Sequence, residues 1–171
     1  DIDKHIGDMG FDDVIQKRAK YSVKDEFAGF FDIKTLENYS CKIAEFIKNI
    51  SKTEGIIFVY SKYIKSGILP LALALEYHGY HNYTNSIFEG TRKTNEIKGK
   101  YLLITGDKDL SKNSYSEYLK IQDDNKDGSK VKVILGSETA AEGLDFSNIR
   151  EVHILDPWHH LNRLEQIIGR G

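Results

Sequence analysis

Two stretches of the chain carry residue types that could handle a nucleotide phosphate. The first is GSETAAEGLDF at 136–146, directly after the apolar run KVKVILG. Small side chains at the end of a strand let backbone N–H groups approach a phosphate. Gly143 opens a backbone conformation that other residues resist, and the Asp145 carboxylate could accept hydrogen bonds from ribose hydroxyls. The same residues also read as an ordinary strand–helix loop with a capping Asp. The second stretch is NRLEQIIGRG at 162–171. On a helix Gln166 and Arg170 are four positions apart and share a face. Gln166 could orient a water or touch a phosphate oxygen, and Arg170 could neutralise charge developing on a phosphoryl group. A solvated Glu/Arg helix face is the alternative.

Three other patterns read as plain structure. In DDNKDGSK at 123–130, Asp123, Asn125, Asp127 and Gly128 match the opening of a calcium loop. The twelfth position must supply a bidentate carboxylate, and here it is Ile134, so a helix-to-strand turn is expected instead. His153, Asp156, His159 and His160 fit no helix-borne ligand pair, and no metal site is expected. EVHILD at 151–156 ends on Asp156, as a magnesium-holding strand would. That role needs a phosphate cradle, and neither G-x-x-x-x-G-K-[ST] nor G-x-G-x-x-G occurs in the chain. The chain alone is therefore expected not to hydrolyse a nucleoside triphosphate.

The elements that must hold these residues alternate along the chain. In residues 1–33, Phe11, Val14 and Ile15 could share a helical face, and Phe27, Phe30 and Phe31 are expected to be buried. Leu36, Tyr39, Ile43, Phe46, Ile47 and Ile50 predict one amphipathic helix. IIFVYS after Gly55 predicts a buried strand, and 66–78 a helix with Pro70 in its first turn and Gly79 at its end. HNYT reads as a short strand, 85–98 as a loop with a helical turn, and YLLITG at 101–106 as a strand. A helix over 111–121, with Tyr115, Tyr118, Leu119 and Ile121 on its apolar face, precedes the strand at 130–136. TAAEG is expected to form a helical turn, EVHILD a strand, and LNRLEQII a helix. Strands apolar on both faces, separated by helices, predict a three-layer α/β/α sandwich around a mostly parallel sheet. Ligands of such folds sit at the carboxyl ends of strands, here the loops after 61, 106, 136 and 156.

Composition sets the outer limits. A net charge of −2 excludes a strongly basic nucleic-acid coat, although a local basic patch stays possible. Cys41 is the single cysteine, which excludes an internal disulfide and a cysteine-based zinc site and suits a reducing, cytoplasmic compartment. No apolar run is long enough for a membrane span. Since the chain starts at Asp1 and stops at Gly171 inside an expected helix, it reads as a piece of a longer protein. Nineteen Lys against five Arg, with 20 Ile, suggest an AT-rich genome.

Taken together, the segments resemble the second RecA-like domain of superfamily 2 helicases. IIFVYSKYI at 56–64 is similar to motif IV and SETAAEGLDF at 137–146 to motif V. QIIGRG at 166–171 resembles the opening of motif VI, Gln-x-x-Gly-Arg-x-x-Arg, whose second arginine would fall beyond Gly171. The flanking text at 61–80 and 154–171 looks like the poxvirus-type helicases and transcription nucleoside triphosphatases of large DNA viruses. The resemblance spans 34–171 and leaves 1–33 as an extension or linker. It implies a RecA-like lobe of an ATP-dependent helicase or translocase that works with ATP and Mg2+, DNA or RNA, and a first RecA-like domain. A viral RNA polymerase is a candidate partner, and a viral factory or virion a candidate location. By the same resemblance Ser61, Lys62 and Ser137 would lie on the nucleic-acid side. Gly143 and Asp145 would face the nucleotide, and Gln166 and Arg170 the γ-phosphate, with Arg163 on the same surface. The competing reading is a non-catalytic RecA-like module that docks onto a polymerase or another partner.

Overall fold

The computed structural model describes residues 7–138, 146–156, 165 and 168–169. A short helix, α1 (Gly7–Val14), leads into an antiparallel hairpin of β1 (Ile15–Lys17) and β2 (Tyr21–Val23). Helices α2 (Ile33–Tyr39) and α3 (Cys41–Asn49) precede the first strand of the main sheet, β3 (Ile56–Tyr60). A π-helical turn over Ile64–Ile68 continues into α4 (Leu69–Tyr77), then β4 (Tyr80–Asn82) and β5 (Gly99–Ile104). Helices α5 (Lys108–Ser111) and α6 (Ser114–Ile121) come next, and β6 (Val133–Gly136) and β7 (Ile149–Ile154) complete the sheet. Its five strands run in the order β4-β5-β6-β3-β7, and every neighbouring pair is parallel.

Both faces of this sheet are buried, as its uninterrupted apolar runs require. Ile57 and Val59 of β3, Tyr101 and Leu103 of β5, and Val133 and Leu135 of β6 point into one core. There they meet α3, α4 and the N-terminal segment. Ile56, Phe58 and Tyr60 of β3, with Leu102, Ile104 and Ile134, point the other way and meet Tyr118, Ile121 and Phe146. This is the expected three-layer sandwich. Helix α4 is buried all round, Leu71 to Leu75 included, because it lies between the sheet and further chain. Gly79 ends it with φ +96, a left-handed backbone that suits glycine.

Several local expectations need correction. The single helix over 34–50 is two helices, because Ser40 caps α3 by accepting a hydrogen bond from Ile43 N–H at 3.4 Å. Tyr39, at the end of α2, is therefore turned outward and is 70% exposed. Asn113 adopts φ 61 and divides the helix expected over 111–121. Leu119 then faces solvent, while Tyr118 and Ile121 are buried. Residues 85–98 contain no helical turn. Phe27 and Phe30 are only half buried, but Phe31 is in the core.

The N-terminal segment belongs to the same core. Phe11, Ile15, Tyr21 and Phe31 pack in one cluster with α4 and the sheet. Ile15 does so from β1 rather than from the helix face the spacing suggested. Tyr21 exchanges backbone hydrogen bonds with the 83–98 connection, its N–H donating to Ile87 at 2.9 Å and its carbonyl accepting from Glu89 at 2.9 Å. This connection between two adjacent parallel strands would ordinarily carry a helix. Here it is extended, and the hairpin backs it.

Glu76 of α4 ties that connection down. Its buried carboxylate accepts from the Tyr101 hydroxyl at 3.1 Å, from Asn82 N–H at 3.2 Å and from the Arg92 guanidinium at 3.3 Å. Burial pushes the Tyr101 phenol well above its ordinary range, with the Glu76 charge adding to the shift, so the phenol stays a donor. Replacing Glu76 by Ala leaves buried donors unpaired and is expected to cost roughly 2–4 kcal/mol. Glu76→Gln, which keeps an acceptor oxygen, should cost less than half as much. Urea unfolding of the three chains measures both differences.

Candidate functional site

The sheet register brings the carboxyl ends of the central strands to one level. Tyr60 of β3 pairs with Gly136 of β6 and with Ile154 of β7, and Ile104 of β5 also pairs with Gly136. The next residue of β3, β5 and β6 carries a hydroxyl: Ser61, Thr105 and Ser137, all buried. Backbone bonds continue the ladder at this level. Ser61 N–H donates to Gly136 at 3.1 Å, Ser137 N–H to Ile104 at 3.0 Å and Leu155 N–H to Tyr60 at 2.9 Å. Each apolar run of these three strands is thus closed by a small polar residue. That pattern is visible in VYS, ITG and LGS, and Thr105 is a member of the edge that the motifs do not include.

The Ser61 and Thr105 hydroxyls each have a definite job. The Ser61 hydroxyl donates to the Asp156 carboxylate beyond β7 and accepts from Tyr63 N–H at 3.1 Å. Asp156 also accepts from Lys62 N–H at 3.1 Å. One carboxylate therefore clamps the turn after β3 to the end of β7, a role sequence reasoning missed. Thr105 bonds Ser111 through its hydroxyl at 2.8 Å, and its N–H donates to the Ser111 hydroxyl at 2.8 Å. This latch seats α5 on the end of β5. Lys42 of α3 donates to the Leu155 carbonyl at 2.8 Å, adding a fixed cation beside the same edge.

Ser61, Lys62 and Ser137 are thus brought together, with Asp156 beside them. Ser61 is wholly buried, so it acts on the edge through the turn it holds, whereas Lys62 is exposed. Gly143, Asp145, Arg163, Gln166 and Arg170 lie outside the described residues, as do the TAAEG turn and most of the expected last helix. Among the described residues no three His, Cys, Asp or Glu side chains converge in a way that could hold a metal. The calcium-like loop is a turn built on Asn125. That buried side chain accepts from Lys130 N–H at 2.8 Å and Val131 N–H at 2.9 Å, and donates to the Val131 carbonyl at 3.0 Å. His153 lies edge-on against Phe46, with ring centres 5.0 Å apart, and bonds Glu151.

Gly67 is a further residue that the sequence reading passed over. In the π-helical turn its Cα lies against Ser61, so that an added Cβ would overlap the Ser61 hydroxyl and come 2.8 Å from the Ser61 Cβ. Gly67→Ala must push Ser61 off Asp156 or lift the turn, and is expected to destabilise the chain by about 1–3 kcal/mol. In the Gly67→Ala, Ser61→Ala double variant, loss of the hydroxyl removes the worst overlap. The two costs should then fall short of additive in thermal or urea unfolding.

The chain matches the helicase conserved C-terminal domain over residues 41–171. It is 37% identical over 143 residues, 81% of its length, to an Acanthamoeba polyphaga mimivirus protein provisionally named an ATP-dependent RNA helicase. It is 30% identical over 166 residues, 78% of its length, to a termination factor NPH-I homolog of African swine fever virus. With nucleoside triphosphatase I of Choristoneura biennis entomopoxvirus it shares 32% identity over 138 residues, 80% of its length. The matches span 23%, 23% and 18% of these relatives, respectively. No helix among the described residues is long and apolar enough to cross a membrane. Its parallel sheet, its strand-end edge and these relatives agree, and the chain belongs to the helicase conserved C-terminal domain family.

Proposed function

We propose that the chain is the second motor lobe of an ATP-driven helicase or translocase of a large DNA virus. It closes on a first RecA-like lobe with ATP and Mg2+ between them. The observation that supports this most is the single edge where β3, β6 and β7 end, with Ser61, Lys62, Ser137 and Asp156 side by side. In this reading Lys62 faces the phosphate backbone of DNA or RNA, Ser61 holds the turn that presents Lys62, and the buried Ser137 sits beside them on the nucleic-acid side. Gly143 and Asp145 border the nucleotide, with Asp145 near the ribose. Gln166 and Arg170 face the γ-phosphate. Residues 34–171 form the lobe, and 1–33 is an extension, whose Phe11, Ile15, Tyr21 and Phe31 pack against the lobe's core. Bound Mg2+ would neutralise phosphate charge, and its carboxylate ligand is assigned to the first lobe, while Asp156 holds Ser61 and the Lys62 N–H.

The relatives' names support work in transcription. One is a termination factor homolog, one a nucleoside triphosphatase and one is named an RNA helicase. A viral RNA polymerase then fits as partner, and the cytoplasmic viral factory or the virion as location.

In the intact protein, Arg170→Ala is expected to lower nucleic-acid-stimulated ATP turnover about 10³-fold or more while ATP binding is largely kept. Unchanged turnover would overturn the arginine assignment and favour the non-catalytic interaction module. The isolated chain should not turn ATP over, and robust hydrolysis by it would contradict the two-lobed reading.

A further inference from the structure

We propose that Tyr63 is a stacking platform for a base of single-stranded nucleic acid at the carboxyl edge of β3. This rests on the nucleic-acid reading above and names the contact that reading leaves open. Tyr63 is 52% exposed, on a turn whose other apolar residues turn inward, Ile68 and Leu69 being wholly buried. Among the described residues only Tyr39 and Tyr63 are strongly exposed aromatics. Tyr39 already packs on Phe30, with ring centres 4.7 Å apart, on α2. Tyr63 stands three residues past the end of β3, on the edge formed by Ser61, Ser137 and Asp156.

Its main chain is held on both sides. The Tyr63 N–H donates to the buried Ser61 hydroxyl at 3.1 Å, and its carbonyl accepts from Ile68 N–H at 3.0 Å. Behind the turn, the lack of a side chain at Gly67 lets Ser61 approach. A ring on so fixed a backbone has only two side-chain torsions to settle when a base lands on it. Lys62 puts its ammonium 5.9 Å from the ring centre, where it can meet the phosphate of a stacked nucleotide. Lys65, one turn on, is paired with Asp12 of α1 at 3.0 Å, so its charge is compensated locally. Every base has a π-face, so such a contact grips a strand without reading its sequence, as movement along a track requires.

The test is fluorescence-anisotropy binding of the chain to oligo(dT), oligo(U) and an abasic sugar–phosphate strand of the same length and charge. Tyr63→Ala is expected to weaken binding to the two base-bearing strands about fivefold or more and to leave the abasic strand unaffected. Tyr63→Phe should bind like the parent, and Lys62→Ala should weaken all three strands alike. Where Tyr63→Ala lowers the melting temperature, Tyr63→Leu repeats the comparison with an apolar side chain that cannot stack. An equal loss on the abasic strand, no loss on any strand, or a full loss with Tyr63→Phe would overturn the stacking role while leaving the nucleic-acid reading intact. Failure of the parent chain to bind any of the three strands would overturn that reading and the Tyr63 role with it.

Discussion

Burial of β3, β5 and β6 on both faces is the constraint from which the rest follows. A strand such as IIFVY has no face to give to water, so chain must cover the sheet on each side. Crossovers over the faces make the strands parallel, and parallel strands end at the same edge. The backbone then leaves its ladder there, and polar groups can gather without cost to the core. Register sharpens this, since Tyr60, Ile104 and Gly136 stop level and the following Ser61, Thr105 and Ser137 come side by side. The candidate site is thus a by-product of how the core is covered.

What turns that edge into a defined surface is the clamp around Ser61. A buried hydroxyl needs partners, and this one has Asp156 from just past the end of β7 and Tyr63 from its own turn. Close approach of Gly67, within the π-helical turn that leads into α4, keeps the turn seated. The same few groups therefore fix the orientation of Lys62 and Tyr63, the two residues there that face outward. Rigid main chain beneath exposed side chains holds those side chains at a set position on the surface.

The opposite end of the lobe shows how one irregularity is absorbed. The stretch from Tyr83 to Lys98 has no helix to bury a face, and instead pairs with Tyr21 and is anchored through Arg92 to Glu76. Residues 7–33 thus supply the cover that the crossover lacks. Their short elements have little periodicity of their own, since three-residue strands and an eight-residue helix offer few repeats to read.

Much of the architecture was legible in the sequence. Apolar runs marked four of the five strands, HNYT gave a weaker sign of β4, Pro70 and Gly79 bracketed α4, and Ile134 in place of a carboxylate spoke against a calcium loop. The places where reading failed have local causes: one Ser and one Asn each broke a continuous apolar period, through a cap at Ser40 and a left-handed turn at Asn113. Motif text pointed to Ser61, Lys62 and Ser137 as one group, but residue types alone cannot say which of them faces outward. Sequence by itself determined the fold class and the edge on which to look, because burial pattern and strand polarity follow from side-chain hydropathy. Only the tertiary structure decided that Ser61 is a buried clamp, that Asp156 serves as its acceptor, that Gly67 must be glycine and that Tyr63 stands exposed. Those depend on which strands are neighbours, and β3 and β7 meet across more than ninety residues of chain.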